Sequence, residues 1–275
     1  TEDKIGKIEL LMGNHAVVRG AIEASVRVVA TYPGTPASEI GDLFSEIAKD
    51  AGIYFEYSTN EKVAFETALS ASWTGLRSIV SMKHVGLNVA SDALLSVTYG
   101  GVEGGMVIAV GDDPSCYSSQ NEQDSRYYAR FASIPCFEPA SPQETKDMTK
   151  YAFSLSEKFK LPVLLRQTTR IAHCSGGVEF GDITKFESTP SFIRDKVRRA
   201  VLPAHAYNLH PDLINRFDEL TSYIEDTPFN NMEHKNSKVG IIACGITINY
   251  VKEALNYEGI DNVNLLKLGL TYPLP

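Results

Sequence analysis

The carboxylic acid Glu61 stands at the predicted start of a helix, directly after the strand-like run Ile53 to Tyr57. A carboxylate in a first helical turn is favoured by the helix dipole, with Thr59 or Asn60 as the N-cap. The same group could instead donate a hydrogen bond to, or share a proton with, a ring nitrogen of a buried cofactor. Such a role requires a carboxyl group with a raised pKa, as an apolar pocket provides. Position in the sequence leaves both explanations open.

A rigid turn, Tyr32-Pro33-Gly34-Thr35-Pro36, follows another strand-like run and contains two prolines and a glycine. These residue types predict a sharp change of direction at the end of the strand. Thr35 could cap the next helix, or it could act as a fixed donor to a carbonyl or carboxylate group. The placement at a strand end suits both roles.

The segment Met82 to Asn88 also leaves a strand and opens a helix, and it contains Lys83 and His84. Helix N-termini attract anions, so His84 could donate a proton or contact a substrate there. A histidine in this position is also a common structural hydrogen-bonding group. Lys83 could pair with an anion or extend into solvent.

A polar segment, Asp112 to Arg130, follows the apolar strand Met106 to Val110 and is too long for a simple connection. It should lie over the same edge of the sheet, although an ordinary surface loop is the alternative. Within it, Gln120 offers hydrogen-bonding groups, and Arg126 could bind a carboxylate through its guanidinium fork. The glycine-rich phosphate loops GxGxxG and GxxxxGK[ST] do not occur, and no metal site is predicted.

Strand-like and helix-like segments alternate from Ile8 to Gln167, which predicts an α/β fold, a parallel sheet with helices on both faces. Ligands of such sheets bind at the carboxyl ends of the strands, where the polar segments above should meet. The predicted strands are Ile8 to Met12, Val26 to Ala30, Ile53 to Tyr57, Arg77 to Met82, Met106 to Val110 and Pro162 to Gln167. The predicted helices are Ala16 to Ser25, Ser38 to Asp50, Glu61 to Gly75, Leu87 to Tyr99 and Pro142 to Phe159.

The composition changes near residue 175, which predicts a division of the chain into domains. We expect one α/β domain at 1–190, a connector with a helix at 191–236 and the beginning of a second α/β domain at 237–275. The connector comprises a basic run expected to be solvated, an isolated helix and a linker, at Arg194 to Arg199, Pro211 to Glu225 and Asn230 to Asn236. The last part comprises a strand, a helix and a strand, at Lys238 to Gly245, Ile246 to Tyr257 and Val263 to Leu268.

The charge and composition exclude several classes of protein. The net charge is −8, so a nucleic-acid binder with a basic face is not expected. No apolar run reaches about 18 residues, so no membrane span is predicted. The four cysteines lack the CxxC spacing of metal sites, and we expect reduced thiols in a cytoplasmic protein. They are Cys116, Cys136, Cys174 and Cys244.

Together these segments resemble the large, or alpha, subunit of the indolepyruvate ferredoxin oxidoreductases. These belong to the thiamine diphosphate-dependent 2-oxoacid:ferredoxin oxidoreductases, and the similarity covers nearly the whole chain. The matching stretches are Gly13-Asn14, Arg19-Gly20, Tyr32 to Ile40, Asn60 to Ala64, Met82 to Ala90, Asp112 to Arg130, Glu138-Pro139, Pro203-Ala204-His205 and Gly240 to Gly245.

The resemblance implies a domain that binds the pyrimidine ring of thiamine diphosphate. Glu61 would contact N1′ of this ring and favour its imino tautomer, and His84 would be a second catalytic residue. Thr35 matches the threonine that lies near the substrate in related pyruvate enzymes. Motif position adds Asn88, Gln120 and Arg126 as substrate-binding residues, and Tyr32, Pro33 and Gly34 as cofactor-binding residues.

The same resemblance implies oxidative decarboxylation of an aryl pyruvate such as indolepyruvate, with coenzyme A and ferredoxin as acceptors. The expected assembly is a hetero-oligomer with a smaller beta subunit. Mg²⁺ and 4Fe–4S clusters are expected on parts absent from this chain, which would end inside a transketolase-C-like domain and would not complete the reaction alone. Two alternatives are a subunit that acts on pyruvate or another 2-oxo acid, and a non-catalytic binding or scaffold subunit that keeps the fold.

Overall fold

The structure, a computed structural model, describes residues 4–185 and 189–274. Strands and helices alternate through most of this range, as the sequence predicts. The strands are β1 (Ile8–Met12), β2 (Val28–Thr31), β3 (Tyr54–Tyr57), β4 (Ser78–Lys83), β5 (Met106–Asp112), β6 (Cys136–Phe137), β7 (Val163–Thr168), β8 (Ser175–Glu179), β9 (Asn231–Glu233), β10 (Gly240–Cys244), β11 (Asn264–Leu268) and β12 (Leu270–Tyr272). The helices are α1 (Gly13–Glu23), α2 (Ser38–Ile47), α3 (Glu61–Trp73), α4 (His84–Gly100), α5 (Arg126–Ala132), α6 (Pro142–Phe159), α7 (Thr169–Ala172), α8 (Lys196–Arg199), α9 (Pro203–Tyr223) and α10 (Thr247–Tyr257).

The main sheet has seven strands in the order β12-β6-β7-β5-β4-β2-β3, and all of its neighbours are parallel except β12, which is antiparallel to β6. After β2 the chain crosses to β3 in one direction, and after β4 it crosses to β5 in the other. The two connections therefore separate above the carboxyl ends of β2 and β4. Such a reversal of strand order opens the crevice in which sheets of this class bind ligands.

Alternate residues of each strand face opposite sides of the main sheet, and each side has its own core. Val29 and Val107 belong to a core shared with α1, α2 and α6. Ala30 and Ile108 belong to a second core shared with α3, α4 and α5. The predicted arrangement, a mainly parallel sheet with helices on both faces, is confirmed.

Strand β1 lies outside the main sheet, although the sequence places it at the start of the strand-helix alternation. It pairs in antiparallel register with β8, so that Ile8 lies opposite Glu179. The segment that contains β8 had shown no clear periodicity, because Gly176 and Gly177 supply no side chains to reveal alternation.

Helix α9 begins at Pro203, and Pro211 lies in its interior, so the predicted start at Pro211 is wrong. An interior proline removes one backbone hydrogen bond. Burial of apolar side chains offsets that loss, because Leu213 and Leu220 enter the core under α1, α2 and α6. The helix is therefore part of the main body and not isolated.

The basic run before α9 is exposed at Arg194 and Lys196, as predicted, but not at Arg199. The side chain of Arg199 is 9% exposed, and its guanidinium group pairs with Glu103 at 2.7 Å. It also lies 5.0 Å from the ring centre of Trp73. Long-range partners of this kind leave no trace in local composition.

The last part of the chain forms a three-stranded sheet in the order β10-β11-β9. Strand β9 lies within the predicted linker and pairs in antiparallel register with β11, so this prediction is wrong at 231–233. Helix α10 covers one face, where Ile248 packs with Ala243, Leu265 and Ala140 of the loop after β6. The chain then returns to the main sheet through β12.

In the parts of the chain that the structure describes, no helix is both long and apolar enough to cross a bilayer. The four cysteines are free thiols.

Arg216 of α9 connects this helix to the end of α4 through hydrogen bonds. Its side chain is 12% exposed, and its Nε pairs with Asp212 at 3.2 Å. It also donates to the carbonyl oxygens of Thr98, Tyr99 and Lys160 at 2.8, 3.2 and 2.8 Å. The carbonyl groups at the end of a helix have no helical partner, and a cation there is further favoured by the helix dipole.

We therefore expect Arg216→Ala to lower the free energy of unfolding by about 2–3 kcal/mol, because it removes the guanidinium donor from the carbonyl groups of Thr98 and Tyr99 and leaves Asp212 without this partner. Arg216→Lys keeps the charge but not the fork, and should cost less than the alanine variant. Urea denaturation measures both. A loss below about 0.5 kcal/mol, typical of an ordinary surface substitution, would contradict this account.

Candidate active site

Glu61 opens α3 without acting as its cap. The cap is Asn60, whose side-chain oxygen accepts the Val63 amide at 3.0 Å. The Glu61 carboxylate forms no hydrogen bond or ion pair with any residue of 4–185 or 189–274. It lies against Gly86 in the first turn of α4, where an added Cβ would stand 2.6 Å from Oε1 of Glu61. Gly86 thus gives the carboxylate room to rest on the start of α4, where the helix dipole favours a negative charge.

His84, the first residue of α4, is 1% exposed. Its Nε2 lies 3.2 Å from the carbonyl oxygen of Asn121. A carbonyl oxygen only accepts, so Nε2 carries the proton in this contact. The other ring nitrogen, Nδ1, is buried without a hydrogen-bond partner. The loop after β5 therefore covers His84, and its Nε2–H faces the backbone of this loop.

Lys83 connects this loop with the turn after β2. Its side chain is 8% exposed, and its Nζ donates to the carbonyl oxygen of Ser118 at 2.7 Å. An added Cβ on Gly34 would lie 2.9 Å from Cβ of Lys83, so the turn rests on the lysine stem. The predicted solvated side chain is therefore wrong for Lys83, because its ammonium group donates an internal hydrogen bond and lies near enough to Asp113 for its charge to lower the pKa of that carboxyl group.

Asp113 anchors the same loop. Its Oδ2 accepts the Ser118 amide at 2.8 Å and the Ser119 hydroxyl at 2.6 Å, and its Oδ1 accepts Thr169 Oγ1 at 3.0 Å. Burial by itself would raise the pKa of Asp113. The hydrogen bonds from Ser119, Ser118 and Thr169, with the charge of Lys83, outweigh burial and lower this pKa from 3.8 to about 2. Asp113 is thus a carboxylate at neutral pH.

The other predicted site residues lie in three different settings. The hydroxyl of Tyr128 donates to Oδ1 of the exposed Asn88 at 2.7 Å. Thr35 and Gln120 are exposed, and the structure gives their side chains no hydrogen bond within the described ranges. The turn that contains Thr35, together with Pro33 and the 37% exposed Tyr32, follows β2 and borders the crevice.

Arg126 begins α5, so the predicted loop from Asp112 to Arg130 ends five residues too late. Its Nη2 pairs with Oδ2 of Asp124 at 2.6 Å, and its Nη1 lies 3.6 Å from Glu138. The hydrogen bond with Asp124 is the main reason for the raised pKa of Arg126. Most of its donors are therefore engaged within the protein.

A buried ion pair organises the end of the sheet beneath Arg126. Arg166 is 6% exposed, and its Nε and Nη1 reach Asp112 at 2.6 Å and Glu138 at 2.8 Å. Burial would lower the pKa of Arg166, but Glu138 and Asp112 raise it overall. Sequence reasoning overlooked this network, although the two adjacent acids at the end of the buried strand β5, Asp112 and Asp113, were a usable signal.

The structure thus groups Glu61, His84 and Lys83 at the start of α4 and places Arg126 in a separate charged cluster farther along the sheet. Two residues that sequence reasoning missed hold the first group. Gly86 makes room for Glu61, and the backbone of Asn121 contacts His84. Gly86 lay within the matching segment and Asn121 within the polar loop, but neither contact follows from local sequence.

Asp113→Asn should lower the free energy of unfolding by about 2 kcal/mol at pH 7, because a pKa depressed by nearly two units corresponds to that energy. The pKa is lower in the folded than in the unfolded protein. Its contribution is therefore complete above about pH 4 and disappears as the pH falls toward 2.

Denaturation of wild type and variant across this range measures the difference between them. The matched control is Asp50→Asn at an exposed site, which should change neither stability nor its pH dependence. A constant difference from pH 7 to about pH 2 would contradict the assigned role of Asp113.

Comparison with known proteins shows which family this chain is similar to. The family described as pyruvate flavodoxin/ferredoxin oxidoreductase, thiamine diphosphate-binding, matches residues 19–236. The chain is 53% identical over 279 residues to the indolepyruvate oxidoreductase subunit IorA of Thermococcus kodakarensis, covering 99% of this chain and 43% of the relative. It is 47% identical to the subunit of that name from Archaeoglobus fulgidus, with 99% and 44% coverage.

More distant similarities support the same fold. The 2-oxoglutarate synthase subunit KorA of Methanocaldococcus jannaschii is 25% identical over 182 residues, which cover 61% of this chain and 47% of that subunit. The solved structure of a 2-oxoglutarate:ferredoxin oxidoreductase from Magnetococcus marinus superposes with a TM-score of 0.79 at 19% identity, covering 98% of this chain and 55% of that one.

The chain spans 43% of the length of the Thermococcus relative, so the comparison concerns one part of such a subunit. The match from residue 19 to residue 236 includes Glu61, His84 and the loop that covers His84. The resemblance drawn from the sequence motifs is confirmed. The chain belongs to the thiamine diphosphate-binding family of pyruvate flavodoxin/ferredoxin oxidoreductases.

Proposed function

We propose that this chain supplies the aminopyrimidine-binding part of an enzyme that oxidatively decarboxylates an aryl pyruvate, such as indolepyruvate, to the acyl-CoA with ferredoxin as electron acceptor. The observation that carries the proposal is the Glu61 carboxylate. It rests on Gly86 at the crevice between β2 and β4 and has no partner within the described residues.

The residues at the start of α4 fit a thiamine ring. A carboxylate without a protein partner is free to hold a proton shared with a ring nitrogen, and Gly86 keeps side-chain atoms away from it. Thiamine diphosphate, when bound, supplies a nucleophilic carbon and an electron sink for decarboxylation of a 2-oxo acid. The part assigned to Glu61 is to hold the proton at N1′ of the aminopyrimidine.

The turn Tyr32-Pro33-Gly34 is proposed to border the cofactor, because it lies beside this crevice and rests on Lys83. Thr35, exposed in the same turn, is proposed as a hydrogen-bond donor to the substrate. His84 is proposed as a second catalytic residue. Its Nε2–H is directed at Asn121, so the loop must release it before it can meet substrate.

Asn88, Gln120 and Arg126 are proposed to bind the substrate. Asn88 and Gln120 are exposed on the side of the sheet that carries α4 and the covering loop. Arg126 is bound to Asp124, so recognition of a substrate carboxylate by its guanidinium group would require an exchange of carboxylate partners. Of the three residues, Arg126 is therefore the one whose side chain is least available to a substrate.

The rest of the proposed assembly involves other parts of the protein and other chains. Within the described residues, no group of three or more His, Cys, Asp or Glu side chains could hold a metal ion. We assign Mg²⁺, the diphosphate contacts and the 4Fe–4S clusters to sequence beyond the shared 43% of the longer relatives, and propose a smaller beta subunit in a hetero-oligomer. Four free cysteines support a reducing, cytoplasmic location.

The preference for an aryl pyruvate rests on the relatives. Identity is 53% to a subunit named for indolepyruvate and 25% to one named for 2-oxoglutarate, with coverage of 99% and 61% of this chain. Dye reduction by the intact enzyme should therefore be faster with indolepyruvate than with pyruvate or 2-oxoglutarate. Turnover of pyruvate alone would indicate the pyruvate alternative, and turnover of none would indicate a scaffold subunit.

Glu61→Gln in the intact enzyme should lower indolepyruvate turnover by about 10²–10⁴-fold, the usual effect of losing a positioned proton donor or acceptor. The melting temperature should change little, because the carboxylate has no hydrogen bond or ion pair with the described residues to lose, only its interaction with the helix dipole. Glu66→Gln, one turn later and exposed, is the matched control and should retain activity. Full activity of the Glu61 variant would refute the assigned role.

Gly86→Ala tests the same contact from the other side. The added Cβ would lie 2.5 Å from Cγ of Glu61, so the glutamate side chain must move away. A displacement of this size should lower turnover by about a hundredfold while the fold persists. The control Gly240→Ala places its Cβ 3.8 Å from the nearest atom and should be neutral. Equal turnover in both variants would show that Glu61 needs no fixed position.

A further inference from the structure

Asn14 connects the first turn of α1 with the turn that follows β2. It is 1% exposed, and its Nδ2 donates to the carbonyl oxygen of Pro36 and to Oε2 of Glu39, both at 2.7 Å. Both N–H groups of the amide are thus used on acceptors of another segment. Asn14 does not cap its own helix, because the N-cap of α1 is Met12 and that end has no side-chain cap.

The turn after β2 is held at two further points, both of them glycines. An added Cβ on Gly34 would lie 2.9 Å from Cβ of Lys83, and one on Gly111 of β5 would lie 3.1 Å from Cγ of Pro36. Contacts of this kind limit how closely the turn approaches the sheet. Asn14 adds direction, because a hydrogen bond also fixes the orientation of the carbonyl group that accepts it.

Thr35 lies directly before Pro36 in this turn and is exposed. Its hydroxyl has no hydrogen bond within residues 4–185 and 189–274, so it is available to a ligand and does not hold the turn in place. The pyrrolidine ring locks φ of Pro36, so a hydrogen bond at the Pro36 carbonyl also restrains the backbone back to Thr35. Asn14 therefore acts on the position of the Thr35 hydroxyl without touching it.

Glu39, in the first turn of α2, is shared between two partners. Its Oε2 accepts from Asn14, and its Oε1 lies 3.4 Å from Nε2 of His173. Asn14 thus faces a carbonyl oxygen and a carboxylate, and both can only accept hydrogen bonds. An aspartate of the same shape would repel them, so this site requires the donor groups of an amide.

We propose that Asn14 is a positioning residue: by holding the Pro36 carbonyl group, it fixes where the Thr35 hydroxyl meets the 2-oxo acid. This inference rests on the proposed function, in which Thr35 donates to the substrate. A displacement of about 1 Å can cost about a hundredfold in rate. A loosened turn would therefore keep its hydroxyl and lose the benefit of its placement.

The first test is a double-mutant cycle in the intact enzyme, with kcat and KM for indolepyruvate measured for Asn14→Ala, Thr35→Val and the double variant. Asn14→Ala should lower kcat/KM about 10–100-fold in the wild-type background. It should lower it less than about twofold when Thr35→Val is present, because the contact that Asn14 positions is then missing. The loss should divide between kcat and KM as it does in Thr35→Val, whereas a loss of folded enzyme would lower kcat alone in both backgrounds.

Ser72→Ala is the matched control. Ser72 is fully buried, and its Oγ donates to the carbonyl oxygen of Gly104 at 2.6 Å, at the end of α3 opposite Glu61. The variant loses a buried hydrogen bond of the same kind and should keep kcat/KM in both backgrounds. Glu39→Ala, at a half-buried site, removes one acceptor of Asn14 and should give a smaller loss that Thr35→Val also abolishes. This milder variant replaces Asn14→Ala if the latter does not fold.

Hydrogen exchange tests the hold on the turn without measuring turnover. The Ala37 amide donates to the carbonyl oxygen of Gly34 at 2.8 Å across the turn. In the intact protein its exchange should be at least about tenfold faster in Asn14→Ala than in wild type or Ser72→Ala, because exchange follows local opening. Unchanged exchange, or the same kinetic loss in both backgrounds, with normal wild-type turnover would overturn this inference alone. A wild-type enzyme that turns over no 2-oxo acid would overturn the proposed function as well.

Discussion

The contact between Glu61 and the backbone of Gly86 governs the geometry of the candidate active site. It brings the start of α3 against the start of α4, although the two helices leave different strands. The reversal of strand order beside β2 makes this meeting possible, since the connections after β2 and β4 diverge there. A carboxylate at such a point can meet a ligand in the crevice, because it is not used in hydrogen bonds or ion pairs with the described residues.

Buried charges fix the remaining edge of the sheet. Arg166 joins Asp112 at the end of β5 to Glu138 after β6, and Glu138 lies beneath Gly245 just before α10. Buried ion pairs contribute little net stability, because desolvation cancels most of the attraction. Their effect here is geometric: they fix the β5 and β6 ends relative to one another. Rigid placement of functional groups depends on such support.

Local sequence signals, such as capping residues, predicted an element correctly where those signals agreed with one another. Helix α6 spans Pro142 to Phe159 as predicted, because Ser141 caps it by accepting the Glu144 amide and Pro142 suits its first turn. The start of α9 was missed because Pro211 carries the same signal inside a helix that tertiary burial stabilises. Strand β9 was missed because three residues in a polar segment show no period, and only pairing with β11 defines them.

The candidate site was predicted unevenly for the same reason. The motifs located Glu61, His84 and the turn at Thr35, because each directly follows a strand and strand ends share one edge of a parallel sheet. Contacts of Arg126, Lys83 and Asp113 connect them to residues that are far away in the chain or lie in other elements. No rule of sequence spacing predicts such contacts.

The most direct test of the central claim is the structure of the intact protein with thiamine diphosphate. The account predicts a carboxyl oxygen of Glu61 within about 2.6–3.2 Å of N1′ of the aminopyrimidine, the distance of a hydrogen bond that can carry a proton. A pyrimidine ring bound elsewhere, or N1′ held by another side chain while Glu61 faces solvent, would contradict it.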